Sequence, residues 1–180
     1  LVELYGSTND ISCKYLTISS DDHSLDVQAR GEIRNLRQQP QWTVNASHIN
    51  IKSQLMSQCK QIVSHIPDEL IHLGDIHVDG VSERTADGKS NSYVNIRTDI
   101  GNGTLHLTIN QDNRFDATID TKSFHLGKLI DNNDLGNIAT RINIRGVKDN
   151  IIAEGAVDLF EYKSYPYQNI ALNCNYRQND

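Results

Sequence analysis

Apolar and polar residues alternate along most of this chain. Leu16 and Ile18 open the pattern, and Leu25, Val27, Ala29 and Ile33 keep one parity straight through Gly31. After a turn signal at Gln38-Gln39-Pro40, Trp42, Val44 and Ala46 resume it. A period of two predicts strands with one apolar and one wet face. Ile49 and Ile51 then fall on the other parity, which predicts a β-bulge near Ser47-His48.

From Ser53 to Ile66 the period changes. Leu55, Cys59, Ile62 and Ile66, with Met56 and Val63 beside them, follow helical spacing. This predicts one amphipathic helix over 53–66, with Ser53 as N-cap and Pro67 as its stop. The segment Pro67–Gly74 adds a further turn, so the helical insert spans about 53–73.

Strand patterning returns at Ile76 and Val78 and ends at Asp79-Gly80; the polar stretch Ser82–Ser92 reads as a mobile loop. Strands are expected at Tyr93–Ile100, Thr104–Ile109, Arg114–Asp120, Ile138–Gly146, Ile151–Phe160 and Gln168–Tyr176. Phe124–Ile130 reads as a short helical connector. About a dozen short strands joined mostly by tight turns predict an all-β chain, an antiparallel meander in one curved, repetitive sheet. Glycine recurs inside or at the ends of these strands, at Gly31, Gly80, Gly146 and Gly155, as at points where a sheet bends. The whole of 1–180 reads as one segment rather than two domains.

Each strand carries an apolar stripe. Leu105, Leu107 and Ile109 form one, and Phe115, Ala117 and Ile119 the next. Ile138, Ile142 and Ile144 follow, then Val157 with Leu159, then Ile170 with Leu172. Such stripes line either the core of a β-sandwich or an open groove for something apolar, such as acyl chains. Periodicity does not separate the two, because both take the same side chains out of water.

Phe160, Tyr162, Tyr165 and Tyr167 crowd into eight residues of a chain that is 6% aromatic. They predict an aromatic corner around Tyr165-Pro166-Tyr167, joining strands Ala156–Phe160 and Gln168–Asn173. The rings would serve as a stacking platform for sugars, an interface hot spot, or a plug at a sheet end with Pro166 fixing the turn.

Composition narrows the picture. At 180 residues with 37% apolar content and a mean hydropathy of -0.52, the chain suits thin sheets with a wet face. A net charge of -6 without basic runs argues against nucleic-acid binding. Cys13, Cys59 and Cys174 have neither metal spacing nor an even count. No apolar run approaches membrane-spanning length. The chain starts mid-pattern at Leu1-Val2-Glu3-Leu4-Tyr5, like a piece of something longer. Seven histidines, His72, His77 and His106 among them, form no compact cluster with cysteines or carboxylates, so no metal or other cofactor is expected. Asp116, Asp120 and Asp158 are hydrolytic candidates by residue type alone, and no nucleophile elbow, P-loop or dinucleotide fingerprint is present. No enzymatic activity is expected.

Several segments carry a family resemblance. Phe124-His125-Leu126-Gly127-Lys128-Leu129-Ile130, then Asp134-Leu135-Gly136-Asn137-Ile138 and Ile144-Arg145-Gly146, resemble the TamB-like (AsmA-related) envelope proteins of Bacteroidetes-type bacteria. The closing run Ala153–Tyr162 followed by Tyr165–Leu172 looks like the same family's strand-turn-strand unit. The likeness is best over 65–180, and Cys174 stands where the family often has glycine. It implies a fragment of a long periplasmic protein held in the inner membrane by a distant anchor, built as a β-taco trough. The implied role is phospholipid transport between membranes or outer-membrane protein assembly, with acyl chains and a BamA-like barrel as partners. The other reading is a β-sandwich binding module for a glycan or protein, using the aromatic patch.

Overall fold

In a computed structural model that describes residues 1–62, 67–147 and 150–177, all strands join one antiparallel sheet. They run in chain order: β1 (Val2–Gly6), β2 (Ile11–Ser19), β3 (Leu25–Arg34), β4 (Gln41–Ile51), β5 (Ile76–Arg84) and β6 (Ser90–Thr98). The series continues with β7 (Gly101–Ile109), β8 (Phe115–His125), β9 (Leu135–Val147), β10 (Asn150–Tyr162) and β11 (Tyr165–Arg177). Each strand pairs only with its sequence neighbours, so β1 and β11 are the two edges. The sheet is curved and does not close into a barrel. It is one layer, not the two of a sandwich.

Helices α1 (Ser53–Ile62) and α2 (Asp68–His72) link β4 to β5, and α3 (Leu126–Leu129) links β8 to β9. All three sit at the same end of the strands. The 63–66 part of the expected helix lies outside the described residues. Ser53 is the first helical residue rather than the cap: its N–H donates at 3.0 Å to Asp75 Oδ1, from the far side of the insert. Pro67 is the N-cap of α2.

The connections at this end hold one another. Asp99 N–H donates to Leu73 O at 3.1 Å, and Asp75 N–H donates to Asp99 Oδ2 at 3.0 Å. Gly74 between them has φ +74, and a Cβ there would lie 2.2 Å from Asp99 Oδ2. His125 N–H then donates to Ile100 O at 2.7 Å, leaving Ile100 only 8% exposed. His72 Nδ1 meets Leu129 O at 2.8 Å, tying α2 to α3. The helices thus close a strand end and reach neither edge.

Two local expectations are corrected. Ser82–Ser92 is ordered strand, not a mobile loop: Ser82 pairs with Ser92 and Arg84 with Ser90, leaving only 85–89 as the turn. The Ser82 and Ser92 hydroxyls also meet across the ladder at 2.9 Å. The aromatic corner is likewise a regular hairpin whose turn is Lys163-Ser164, with Tyr162 opposite Tyr165 and Pro166 inside β11 opposite Glu161. Proline is tolerated there because β11 is an edge strand.

Lys163 and Ser164 both lie in the left-handed region, at φ 50 and 62, as a type I′ hairpin requires. A side chain costs about 1 kcal/mol there that glycine avoids. Ser164→Gly is expected to raise stability by about 1 kcal/mol, or about 2–4 °C in Tm for a chain of this size. Thermal unfolding followed by circular dichroism checks it.

Candidate functional site

Directly opposed residues in an antiparallel ladder share a face, and so do residues two apart in a strand. Register alone therefore sorts the side chains. One row runs Leu105, Ile119, Ile142, Gly155, Leu172 from β7 to β11. It extends the other way through Val94, Gly80, Ala46, Ala29 and Leu16 to β2. The next row contains Leu107, Ala117 and Ile144, and the one beyond it Ile109 and Phe115. On the other side Val157 opposes Ile170, and Ile138, Phe160 and Tyr167 form a further row.

The expected stripes therefore merge into one face, with one exception. Val157 opposes Thr140 while Leu159 opposes Ala139, so a bulge at Asp158 turns Leu159 to the other side. The chain's first half supplies as much of this face as its second, which the expectation for residues 105–172 omitted. The bulge expected at Ser47-His48 is what keeps it continuous. Ala46 and Ile49 stay on one face, opposite Ala29 and Val27 on β3 and Gly80 and Val78 on β5.

Near β1–β4 this face is concave. A Cβ on Gly80 would lie 2.5 Å from the Tyr93 carbonyl oxygen, and one on Gly155 2.2 Å from that of Arg141. Both positions lie on the apolar side, where the neighbouring strand comes too close for a side chain. Near β1–β4 the curve encloses a hollow of about 250 Å³ whose wall includes Leu4, Ile11, Leu16, Ala29, Ile33 and Val44.

Among the described residues, no second layer covers this face. Among the described residues the buried apolar side chains are Ile100, Ala139 and Val157, and none of the large ones is fully enclosed. Ile119, in the middle of the longest row, is 38% exposed. An isoleucine facing a filled core is ordinarily almost fully buried. The accessible surface is 12055 Å², against roughly 8,800 Å² for a compact chain of this mass. The excess is that of a single layer with both faces exposed.

The opposite face is polar and cross-linked. Arg141 Nε donates to Asp120 Oδ2 at 2.7 Å, and Arg145 pairs with Glu154 at 3.1 Å. Asn95 donates to Asp79 at 2.7 Å, and Thr118 to Asn143 at 2.9 Å. Asp26, His48, Asn50 and His77 form a string across β3, β4 and β5. His106 sits on this face too, opposite Tyr93 and Thr118. Of the hydrolytic candidates, Asp120 is taken up by Arg141 and Asp116 stands opposite Arg145. No group of three or more His, Cys, Asp or Glu among the described residues has metal-binding geometry. The described cysteines are all free, with Cys13 and Cys174 on the apolar face near opposite edges.

Phe160, Tyr162, Tyr165 and Tyr167 share one side of the β10–β11 hairpin, since Phe160 opposes Tyr167 and Tyr162 opposes Tyr165. The Tyr165 and Tyr167 rings meet edge to face, 5.0 Å apart at 66°. The rings continue the apolar face to its corner.

The shifted carboxylates belong to connections. Asp22, in the β2–β3 turn, is held at about 2 by the hydroxyls of Ser24 and Ser20 and the Ser24 amide. The Lys52 ammonium, 2.6 Å away, and then the Ser53 amide hold Asp75 below the ordinary carboxyl range. Comparison with protein-family models, with curated proteins and with solved structures finds no match.

Because the pKa of Asp75 is depressed on folding, its stabilising contribution is complete above its ordinary value of 3.8 and is lost as pH falls through the lowered one. The protection factors of the Ser53–Leu55 amides, taken relative to intrinsic exchange at each pH, are expected to fall below that range, signalling release of the α1 start. In Asp75→Asn the acid step at these amides is expected to be absent.

Proposed function

We propose that this chain is a non-enzymatic segment of a lipid-conducting or envelope-assembly scaffold, whose concave face cradles phospholipid acyl chains. The observation that carries the reading is the uncovered apolar face, continuous from β2 to β11 on one side of a single curved layer. At about 4.8 Å per strand spacing, its continuous row runs roughly 43 Å across the sheet. Each methylene taken from water onto such a wall contributes roughly 0.8 kcal/mol. These contacts are non-directional, so a chain can slide from one strand to the next without breaking a specific bond. The polar outer face, laced by ion pairs, keeps the segment wetted on the other side.

The resemblance to the TamB-like (AsmA-related) family supports the same reading and supplies its setting. That setting is the periplasm, between an inner-membrane anchor elsewhere in the protein and an outer membrane with a BamA-like barrel. No helix among the described residues is long and apolar enough to cross a membrane.

Photo-crosslinking side chains at Leu107 and Ile142, on the apolar face, and at His106, on the polar face, test the proposal. In cells, phospholipid is expected on the first two and not on the third. Equal labelling of all three, or no lipid at Leu107 and Ile142, would overturn it.

A further inference from the structure

A polar patch interrupts the apolar face across β4, β5 and β6. Ser82 and Ser92 oppose each other in the row of Val44, and Arg84 and Ser90 oppose each other in the row of Trp42. Arg84 is the one charged residue that these three strands place on this side. Its guanidinium lies 5.4 Å from the centre of the Trp42 ring, and its Nη1 donates to Ser90 Oγ at 3.4 Å. Trp42 Nε1 donates to Ser82 Oγ at 3.3 Å, and the Ser82 and Ser92 hydroxyls meet at 2.9 Å. Whichever serine donates to the other, one hydroxyl hydrogen of the pair is left to donate elsewhere. The patch is thus rich in donors. Arg34, Arg97, Arg114, Arg141 and Arg145 each pair with a carboxylate, and among the described residues Arg84 has no such partner. Asp87, in the adjoining turn, accepts from Thr85 and Lys89 instead. A recess of about 190 Å³ opens beside Arg84, walled also by Trp42, Thr85, Arg34 and Glu32. Glu32 is taken up by Arg34 at 3.0 Å, so the charge left over in the recess is that of Arg84.

We propose that Arg84, with Ser90 and the Ser82–Ser92 pair, holds the phosphate of a phospholipid whose tail lies over Trp42 and enters the hollow near β1–β4. A guanidinium suits this role because its planar fork donates two parallel N–H bonds to phosphate oxygens. Half withdrawn from water and without an acid beside it, it keeps a strong preference for an anion. The chain's net charge of -6 would by itself repel one, so the preference is local to this patch. The tail has an apolar path. Trp42 stands opposite Ile33, and Ile33 and Val44 both wall the hollow. From β5 to β3 is two strand spacings, about 10 Å. One acyl chain covers roughly 15 Å, half the thickness of a bilayer's hydrocarbon core. The inference rests on the acyl-cradle reading and adds to it a fixed place for the head. Tails slide along the apolar rows, whereas a phosphate stops at Arg84.

The test uses three probes that share a tail and differ in the head: decyl phosphate, decanol and decyltrimethylammonium. Each is titrated into the 180-residue chain by calorimetry, below its micellar and solubility limits, with inorganic phosphate as a fourth probe. Decyl phosphate is expected to bind on the order of tenfold more tightly than decanol, and the cationic probe more weakly than either. Arg84→Gln is expected to bring decyl phosphate down to the decanol level. Arg97→Gln makes the same change of charge on the polar face and is expected to keep the advantage, with circular dichroism verifying that both variants fold. The comparison of the three heads on the unaltered chain holds even if Arg84→Gln does not fold. Equal binding of decyl phosphate and decanol, or an advantage that survives Arg84→Gln, would overturn the head site and leave the acyl cradle standing. Inorganic phosphate bound as tightly as decyl phosphate would overturn it in favour of a free-anion site. Binding of none of the three tailed probes would overturn the cradle and the head site together.

Discussion

With no second layer behind it, each strand here is held by its ladder to two neighbours and by side-chain pairs on its two faces. Keeping parity is thus the constraint on which everything else rests. A one-residue slip in any strand would turn its apolar set outward and break the face in two. The sequence guards against this where strands gain a residue. β4 carries its extra residue between Ala46 and Ile49, and the ladders to β3 and β5 both shift there, so Ala29 and Gly80 still meet Ala46 while Val27 and Val78 meet Ile49.

The two faces then do different work. On the polar side, pairs such as Arg141–Asp120 and Arg145–Glu154 bridge adjacent strands, each contributing a fraction of a kcal/mol at this exposure. On the apolar side, Ile119 stands opposite Leu105 and Ile142 but remains wetted. The sheet is thus held together chiefly in its own plane, and its inner face retains a driving force for burial. An acyl chain satisfies it without demanding a fixed position. At Gly80 and Gly155 there is no room for a Cβ because the neighbouring strand's backbone approaches too closely.

Fold class was legible because period-two alternation is strong from Leu16 onward, and even the Ser47-His48 bulge follows from the parity change at Ile49. What failed depended on partners distant in sequence. Ser53 looked like its own cap until Asp75 arrived from the start of β5. Ser82–Ser92 looked like a loop because its residues are polar on both faces, whereas its ladder is set by the flanking register. Lys163-Ser164 lacks the usual Asn-Gly of a type I′ turn, so Pro166 drew the turn to itself. Leu159 was assigned with Val157 because a bulge opposite Ala139 leaves no mark in a single strand. The stripes themselves were plain; that they stay uncovered was not, since a sandwich would show the same alternation.

The most direct test of the uncovered face uses the chain's single tryptophan. Trp42 lies on the apolar side, opposite Ile33 and two residues from Val44, both of which line the hollow near β1–β4. Its fluorescence should be measured as phospholipid with brominated acyl chains is added, against the same lipid without bromine. If the concave face holds acyl chains, Trp42 emission shifts to the blue with both lipids and is quenched by the brominated one alone. Emission unchanged at saturating lipid, or equal intensity with the two lipids, would contradict a lipid-holding trough.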